Sequence, residues 1–323
     1  MKLKTIVAST LMVCSVAASA TSWTGYTYSS VSTTAAVKGM TRISERVASE
    51  TDGDLDIKIH LGKTLQIKSA DITQAVGDGI VDFAADYFFS GNVPIARVLN
   101  LPMLIENDQE WEKAYEAMKP MLEEAFEQQD VVLLGGYRYP QQVFFTTFPV
   151  DQLSDIKGHK IRVTSPEQGQ FVETFGGLPI TLSGSEVPTA LERGVIDGVL
   201  TASAGGAKKW HEFLPNNYRF AVNYGNSMII ANIDSFEDLD QEDQTILRHI
   251  VAEEGDKISA EFIEDEKAQM ASQQSKGMLI TIAAEGDAQK ARDLLRPYWT
   301  EWAKENGAEY EQALSVVLKA IGK

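Results

Sequence analysis

The residue best suited to grip a ligand is Arg162, in the stretch "KIRV" at positions 160–163. Apolar neighbours on both sides predict a buried strand, in which an unpaired charge would be costly. The planar guanidinium can donate two parallel hydrogen bonds to one carboxylate. That carboxylate could belong to a bound organic acid or to an Asp or Glu of the same chain, and the residue pattern leaves both alternatives open.

Aromatic residues recur near the ends of the predicted strands, where side chains could face a cleft. Most aromatic residues in a protein belong to the core, but a strand end raises the chance that one contacts a ligand. The aromatic residues in these positions are Tyr26, Tyr28, Tyr87, Phe88, Phe89, Tyr137, Tyr139 and Tyr224.

The usual signatures of enzymes and metal sites are missing from the sequence. It contains no HExxH, GxSxG or Walker lysine motif and no GxGxxG after a strand. We therefore expect neither a catalytic site nor a metal nor a cofactor, although a cation could accompany the acid. The alternative to a ligand-binding protein is an enzyme of the cell envelope that uses Asp86, Glu186 or Asp197. We expect Glu186 and Asp197 to bind backbone groups instead.

The first twenty residues have the order of a cleavable secretory signal. Lys2 and Lys4 precede an apolar run from Ile6 to Ala18, and Ala18-Ser19-Ala20 supplies a small-residue cleavage site. The run is shorter than the roughly 20 residues of a spanning helix. We expect a signal peptide over 1–20, a mature chain beginning near Thr21, and a periplasmic location.

The mature chain is strongly acidic and has no cysteine. The full sequence has a net charge of −17, and loss of Lys2 and Lys4 with the signal makes it −19. Cys14, the only cysteine, leaves with the same segment. Strong acidity argues against nucleic acid and anionic membranes as partners.

Strand and helix patterns alternate along the chain, which predicts an α/β fold. A polar stretch from Asp240 to about Lys276 has apolar residues at helical spacing, and predicts one long helix with Gly255 as its weak point. Two more helices follow, over about 287–306 and to the C-terminus. The predicted strands cover 55–61, 80–85, 131–137, 160–164, 178–182, 195–201 and 226–232.

One phrase is written twice, as "AVGDGIVDFA" at 75–84 and "ALERGVIDGV" at 190–199. Each copy follows a strand and predicts a strand–helix–strand unit, so the chain should contain two similar α/β lobes. In open α/β sheets the ligand lies beyond the carboxyl ends of the strands. Asp86 and Tyr87 in one copy, and residues 201–203 in the other, should therefore face a cleft between the lobes.

These patterns together predict a two-domain clamshell. The signal peptide occupies 1–20, the first lobe 21–145, the second lobe 146–235, and the long helix with the C-terminal helices 236–323. The C-terminal helices are expected to span both lobes and to pack back on the first.

The segment "IKGHKIRVTSPEQGQFVETFGGLPITLSGSEVPTALERGVIDGV" (156–199) resembles the central signature of the solute-binding proteins of tripartite ATP-independent periplasmic (TRAP) transporters, of the C4-dicarboxylate type. The resemblance extends to "ETDGDLDIKIHLGKTLQ", "LNLPML" and the long late helix. It implies a periplasmic-binding-protein clamshell that captures a small organic acid and delivers it to TRAP-type membrane subunits. The alternative receptor reading is a sensor-coupled binding protein.

The resemblance also assigns candidate ligand-binding residues. Arg162 takes the position of the family's carboxylate clamp. A second arginine is common in relatives. Because the stretch up to Arg162 is a few residues longer here, Arg138, Tyr139 and Gln142 are alternative candidates for its position. Gly184 stands where a Phe is common, which predicts a smaller pocket wall. The remaining candidates are Tyr87, Thr201, Tyr224, Asn226 and, from the aromatic cluster, Tyr26; we expect a monomer.

Overall fold

The fold is α/β, as predicted, and is built on two sheets. A computed structural model describes residues 20–284 and 286–323. The predicted signal peptide lies outside the described residues, apart from Ala20. None of the helices in the described part of the chain is both long and apolar enough to span a membrane.

The strands in chain order are β1 (Thr21–Thr27), β2 (Leu55–His60), β3 (Phe83–Asp86), β4 (Val131–Gln141), β5 (Val143–Thr146), β6 (Lys160–Val163), β7 (Leu178–Thr181), β8 (Gly198–Thr201), β9 (Asn216–Arg219), β10 (Tyr224–Asn232) and β11 (Leu279–Ile282). The helices are α1 (Ala35–Glu50), α2 (Ile72–Gly77), α3 (Asp108–Glu127), α4 (Pro166–Thr174), α5 (Val187–Glu192), α6 (Ala207–Trp210), α7 (Ile233–Glu237), α8 (Gln241–Ser275), α9 (Asp287–Asn306) and α10 (Ala308–Ile321).

The first sheet has the order β2-β1-β3-β10-β4, and the second has the order β11-β9-β5-β8-β6-β7. The adjacent strands β2, β1 and β3 are parallel, as are β8, β6 and β7. One antiparallel strand crosses into each sheet beside its parallel group: β10 pairs with β3, and β5 pairs with β8. Buried apolar side chains cover both faces of each parallel group, as expected for strands covered by helices.

The sheets differ from the predicted lobe ranges at two strands. Strand β10 lies at the end of the range 146–235 but belongs to the first sheet, and β5, at the end of 21–145, belongs to the second. Each crossing strand is as buried and β-branched as its neighbours, so its local pattern carries no sign of which sheet it joins. Sheet membership is decided by long-range pairing.

The repeated phrase folds the same way twice. Helices α2 and α5 both end two residues before a glycine with positive φ, Gly79 at 66° and Gly194 at 62°. In each copy, the aspartate that follows this glycine accepts a hydrogen bond from a backbone amide of a neighbouring parallel strand. Asp82 Oδ2 accepts from the Thr24 amide at 2.7 Å, and Asp197 Oδ2 accepts from the Lys160 amide at 2.8 Å. The repeat is therefore a shared device that fixes the start of a strand.

Helix α8 is one long helix, as predicted, and contacts both sheets. It is capped by Asp240, whose side chain accepts from the Asp243 amide at 2.9 Å. Its first half packs on β4 and α1. Further along, Glu266 accepts hydrogen bonds from the Ala204 amide and from Arg219, both in the second-sheet region. The helix therefore braces the two halves of the molecule.

The expectation that Gly255 is a weak point of this helix is wrong. The helix runs through Gly255 without a break. A Cβ at this position would lie 2.4 Å from the backbone oxygen of Gly136 in β4. The missing side chain therefore lets α8 approach the first sheet closely, which is a tertiary reason for a glycine that helix propensity alone disfavours.

Candidate ligand-binding site

A cavity of about 830 Å³ opens where segments of the two sheets face each other. The first sheet contributes the segment after β1, which includes Tyr28, and the segment after β3, which includes Tyr87 and Phe88. The second contributes Arg162 from β6, Thr201 from the end of β8, and the turn from Leu182 to Glu186. The cavity thus lies beyond the carboxyl ends of the parallel strands, where ligand sites are expected in such sheets.

Arg162 projects into this cavity without a carboxylate partner. Its side chain is 3% exposed, and its Nε donates to the Leu182 carbonyl at 2.9 Å. No Asp or Glu among the described residues forms an ion pair with it, and its two terminal nitrogens make no hydrogen bond to the described protein. Burial lowers the pKa of Arg162 to about 10, while Tyr87 and Glu186 oppose that shift. The group is therefore charged at neutral pH and available to an anion.

The indole of Trp210 forms one wall of the cavity beside Arg162. The guanidinium carbon lies 5.5 Å from the ring centroid, within the range of a cation–π contact. Gly206 makes room for the ring, and Gly184 lies beside it. A Cβ on Gly206 would come within 2.1 Å of the indole, and a Cβ on Gly184 would lie 3.5 Å from it. Trp210 thus fills space beside Gly184, which corrects the expectation of a smaller wall at that position.

The opposite wall is aromatic and comes from the first sheet. The rings of Tyr28, Tyr87, Phe88 and Tyr139 pack edge to face or tilted, with centroids 5.2–5.9 Å apart. The hydroxyls of Tyr28 and Tyr139 are hydrogen-bonded to each other. Burial raises the pKa of both well above the usual range, so both stay neutral. This wall offers a ligand flat apolar surface with hydroxyl groups at its edges.

The charged groups of the cavity are mostly basic. Five of its lining residues are basic and one, Glu186, is acidic, although the chain as a whole carries a net charge of −17. Glu186 already accepts hydrogen bonds from the Ser183 amide at 2.9 Å and its hydroxyl at 2.7 Å. The basic lining residues are Lys63, Lys68, Arg162, Lys208 and Lys209. A cavity of this kind attracts anions.

The model of one protein family, described as bacterial extracellular solute-binding protein, family 7, matches residues 27–306. The chain belongs to this family. Its members are receptors of TRAP transporters, so the protein is a periplasmic solute receptor rather than an enzyme and works with membrane subunits.

Relatives of known structure share the fold of this solute-binding protein. A Bordetella pertussis receptor that binds pyroglutamic acid has a TM-score of 0.85 at 24% identity, covering 94% of this chain and 100% of that one. A Desulfovibrio salexigens protein with bound orotic acid has a TM-score of 0.86 at 18% identity, covering 93% and 98%. A solute-binding protein of Sulfitobacter sp. strain NAS-14.1 is 22% identical over 280 residues, 84% of each chain.

The structure places five of the eight candidate ligand-binding residues at the cavity. These are Tyr26, Tyr87, Gln142, Arg162 and Thr201. Tyr26 is 1% exposed and contributes through the loop that it holds, and the Thr201 hydroxyl accepts from the Gly206 amide at 3.0 Å. Their roles toward a ligand stay predictions.

The other three, Arg138, Tyr224 and Asn226, do not line the cavity. Arg138 Nη1 donates to Asp108 Oδ1 at 2.6 Å, and the Tyr224 hydroxyl donates to the same oxygen at 2.7 Å. Asn226 is buried opposite Arg138 in the β10–β4 pairing. Asp108, at the start of α3, is therefore the partner of Arg138. Tyr139 and Gln142, which follow Arg138 in the sequence, do line the cavity.

The carboxylates of the rival enzyme hypothesis are engaged in the fold. Asp197 holds the Lys160 amide, far from the cavity lining, and Glu186 holds Ser183, as predicted for both. Asp86 does not line the cavity: it is fully buried and accepts from Phe88 and from both donors of Thr73. Burial raises its pKa to about 6 in spite of these hydrogen bonds. Among the described residues no three His, Cys, Asp or Glu form a group that could hold a metal ion.

Sequence reasoning missed Trp210, Lys63 and Lys209 as cavity residues. Trp210 and Lys209 lie in "AGGAKKWHEF", a stretch without strand or helix periodicity. The signal that could have found Trp210 is the spacing of Gly205 and Gly206 before a large aromatic residue, since small residues often leave room for one. Lys63 follows β2 directly, so the rule that ligands lie beyond strand ends applied to it as well.

Proposed function

We propose that this solute-binding protein captures an organic acid whose carboxylate pairs with Arg162 in the cavity between the two sheets. The observation that carries the proposal is a buried, charged guanidinium whose terminal nitrogens face the cavity with no carboxylate from the described chain. A charge in this position has no compensation until an anion arrives. A carboxylate would supply two parallel charge-assisted hydrogen bonds.

The cavity supports recognition of the rest of the acid. Tyr87 and Trp210 offer ring faces on opposite sides, and Gln142 and Thr201 offer polar groups at the edges. Structural relatives bind pyroglutamate, orotate, D-glucuronate and β-D-galacturonate, which are all ring-bearing acids. The carboxylate is the feature that these ligands share, which supports a carboxylate clamp in this protein.

We also propose that the two sheets with their helices are two lobes that close on the acid, and that one chain is the working unit. Residues of both sheets line the cavity. A ligand that contacts both lobes only in the closed form favours closure by its differential affinity. Light scattering of the purified protein would test the monomer, since a dimer would double the measured mass.

The test of the carboxylate clamp compares acids with their neutral amides. Isothermal titration would measure pyroglutamate, orotate, D-glucuronate and D-galacturonate against the corresponding amides, after a thermal-shift screen has found which acid binds. We expect the acid to bind and its amide to bind at least ~10-fold more weakly, because the amide lacks the charge. Arg162→Ala should remove this preference, and Arg193→Ala, at an exposed arginine outside the cavity, should keep it. Equal binding of acid and amide by the unmodified protein would refute the clamp.

A further inference from the structure

Two lysines face the same cavity from opposite sheets. Lys63 follows β2 of the first sheet, and Lys209 lies in α6, which follows β8 of the second. Both side chains are exposed, whereas Arg162 is buried at 3% exposure. Neither lysine forms an ion pair with any of the described residues, in contrast to Lys208, which pairs with Asp265 at 2.8 Å. The exposed rim of the cavity therefore carries two uncompensated positive charges.

The backbone of Lys63 is held in place by hydrogen bonds, and the two sequence neighbours of Lys209 are held by contacts of their own. Lys63 has a φ of 76°, a left-handed conformation that is unfavourable for a side chain with a Cβ. The buried hydroxyl of Tyr26 accepts from the Lys63 amide at 3.1 Å and donates to the Ile67 carbonyl at 3.2 Å, which ties the loop down. Lys209 stands between the paired Lys208 and the buried Trp210. A strained backbone held this firmly is often found at a binding site.

The positive charge of Lys63 acts on Lys209 across the cavity. Partial desolvation, and then the charge of Lys63, lower the pKa of Lys209. The pKa of Arg162 responds to burial, Tyr87 and Glu186, and to neither lysine. The cavity thus contains two separate cationic centres, one at its buried end and one at its rim. Like charges facing each other across a cleft oppose its closure, and an anion placed between them relieves the repulsion.

We propose that Lys63 and Lys209 form a second anion-binding site at the rim of the cavity. The preferred ligand is then an extended acid with two anionic groups. One group pairs with Arg162, and the other, a carboxylate or a phosphate, lies between the lysines. This inference rests on the proposed function of Arg162 and adds a second point of recognition to it.

The cavity has the room and the aromatic walls for a ligand that extends from Arg162 to the rim. Its volume of about 830 Å³ is near the upper end of ligand pockets, which are about 300–1,000 Å³. The surfaces of Tyr28, Tyr87 and Phe88 lie on one side of it and Trp210 on the other. An apolar or aromatic middle section of the ligand would contact these rings. A diacid too short to reach the rim would satisfy Arg162 alone.

The experiment compares the binding of linear diacids of increasing length. Isothermal titration would measure the diacids from glutarate to sebacate, each beside its half-amide, and a parallel series of ω-phosphonocarboxylic acids of the same lengths. The full mature protein would be compared with the double variant Lys63→Gln/Lys209→Gln. The matched control is Lys58→Gln/Lys157→Gln, which removes two exposed, unpaired lysines outside the cavity and changes the net charge equally.

We expect at least one doubly charged acid to bind about tenfold more tightly than its half-amide, because it gains charge-assisted hydrogen bonds. The double variant should lose this preference while its affinity for the half-amide stays the same, and the control should keep the preference. A phosphonate that outranks the diacid of equal length would identify a phosphate at the lysine pair.

Three outcomes would overturn the inference: no doubly charged acid binds, none is preferred over its half-amide, or the preference survives in the double variant. A loss of the preference in the control as well would also overturn it, because it would reveal only a general effect of charge. The clamp at Arg162 is judged separately. Singly charged acids that bind through Arg162, with no effect of the lysine substitutions, would leave the proposed function intact and remove only the second site.

Discussion

The guanidinium of Arg162 lies over the indole of Trp210, with 5.5 Å between its central carbon and the ring centroid. The two residues come from different elements of the second sheet region, β6 and α6. The ring covers one side of the guanidinium, and the Leu182 carbonyl binds its Nε. These contacts leave the two terminal nitrogens as the free edge, to which a carboxylate can bind end-on through two parallel hydrogen bonds.

The planar shape of the Arg162 guanidinium, as well as its charge, should matter for binding. In Arg162→Lys the positive charge stays but the two parallel donors are lost. We expect the affinity for the bound acid to fall by about 2 kcal/mol, the scale of a hydrogen bond to a charged group. Isothermal titration would measure it, with Arg193→Lys as the control. A variant that binds as tightly as the unmodified protein would show that charge alone is sufficient.

The ligand-free protein should become more stable when Arg162 is made apolar. The guanidinium is buried with no anionic partner among the described residues, so Arg162→Leu removes a desolvated charge; even for buried ion pairs, replacement by apolar residues is often neutral or stabilising by about 1–4 kcal/mol. We expect a higher free energy of unfolding in urea together with lost acid binding. A lower free energy of unfolding would mean that the contacts of Arg162 with the Leu182 carbonyl and Trp210 outweigh the cost of burying its charge.

The position of Trp210 should depend on Gly206 more than on Gly184. An added methyl group on Gly206 would come within 2.1 Å of the ring and push it aside, whereas one on Gly184 would make ordinary contact at 3.5 Å. Gly206→Ala should therefore weaken acid binding and change the tryptophan fluorescence on ligand addition, and Gly184→Ala should leave both nearly unchanged. Equal effects of the two substitutions would contradict this account of the wall.

Gly255→Ala should destabilise the protein although it improves helix propensity. The gain for an alanine in a helix is about 1 kcal/mol, but the new methyl group would meet the Gly136 carbonyl at 2.4 Å, and overpacking against backbone costs about 1–3 kcal/mol. The free energy of unfolding should fall. Ala252→Gly, at an exposed position of α8, measures the effect of helix propensity alone on the free energy of unfolding. A rise in stability for Gly255→Ala would show that the helix and the sheet can separate at no cost.

Asp86 should make stability depend on pH in a definite direction. Burial raises its pKa from the ordinary 3.8 to about 6, so between these values the native state binds a proton that the unfolded chain does not. This contribution is present at low pH and is lost as the pH rises through 6. It amounts to roughly 3 kcal/mol.

The comparison with Asp86→Asn isolates this carboxyl from the others. Urea unfolding of both proteins between pH 4 and 7 should show the unmodified protein gaining stability relative to the variant as the pH falls. Asp56→Asn, at an exposed position of β2, should show no such trend. A difference between the two proteins that does not vary with pH would mean that Asp86 titrates at its usual value.

Local patterns in the sequence were sufficient for the α/β class, the long helix, the repeated strand–helix–strand unit and the candidate clamp at Arg162. Each of these depends on residues within about two turns or one strand, where periodicity and side-chain chemistry act directly. The repeat was informative because Asp82 and Asp197 do the same work in both copies, each holding the amide of a neighbouring strand.

Tertiary structure alone decided which sheet β5 and β10 join, that Asp108 satisfies Arg138, and that Lys63 and Lys209 face one cavity. It also explained Gly255, which leaves room for a backbone carbonyl more than a hundred residues away in the chain. Strand pairing, ion pairing and close packing join positions that are distant in sequence, and no local pattern records the partner. For the same reason the sequence could suggest that Arg162 needs an anion, while only the folded chain showed that no carboxylate among residues 20–284 and 286–323 supplies one.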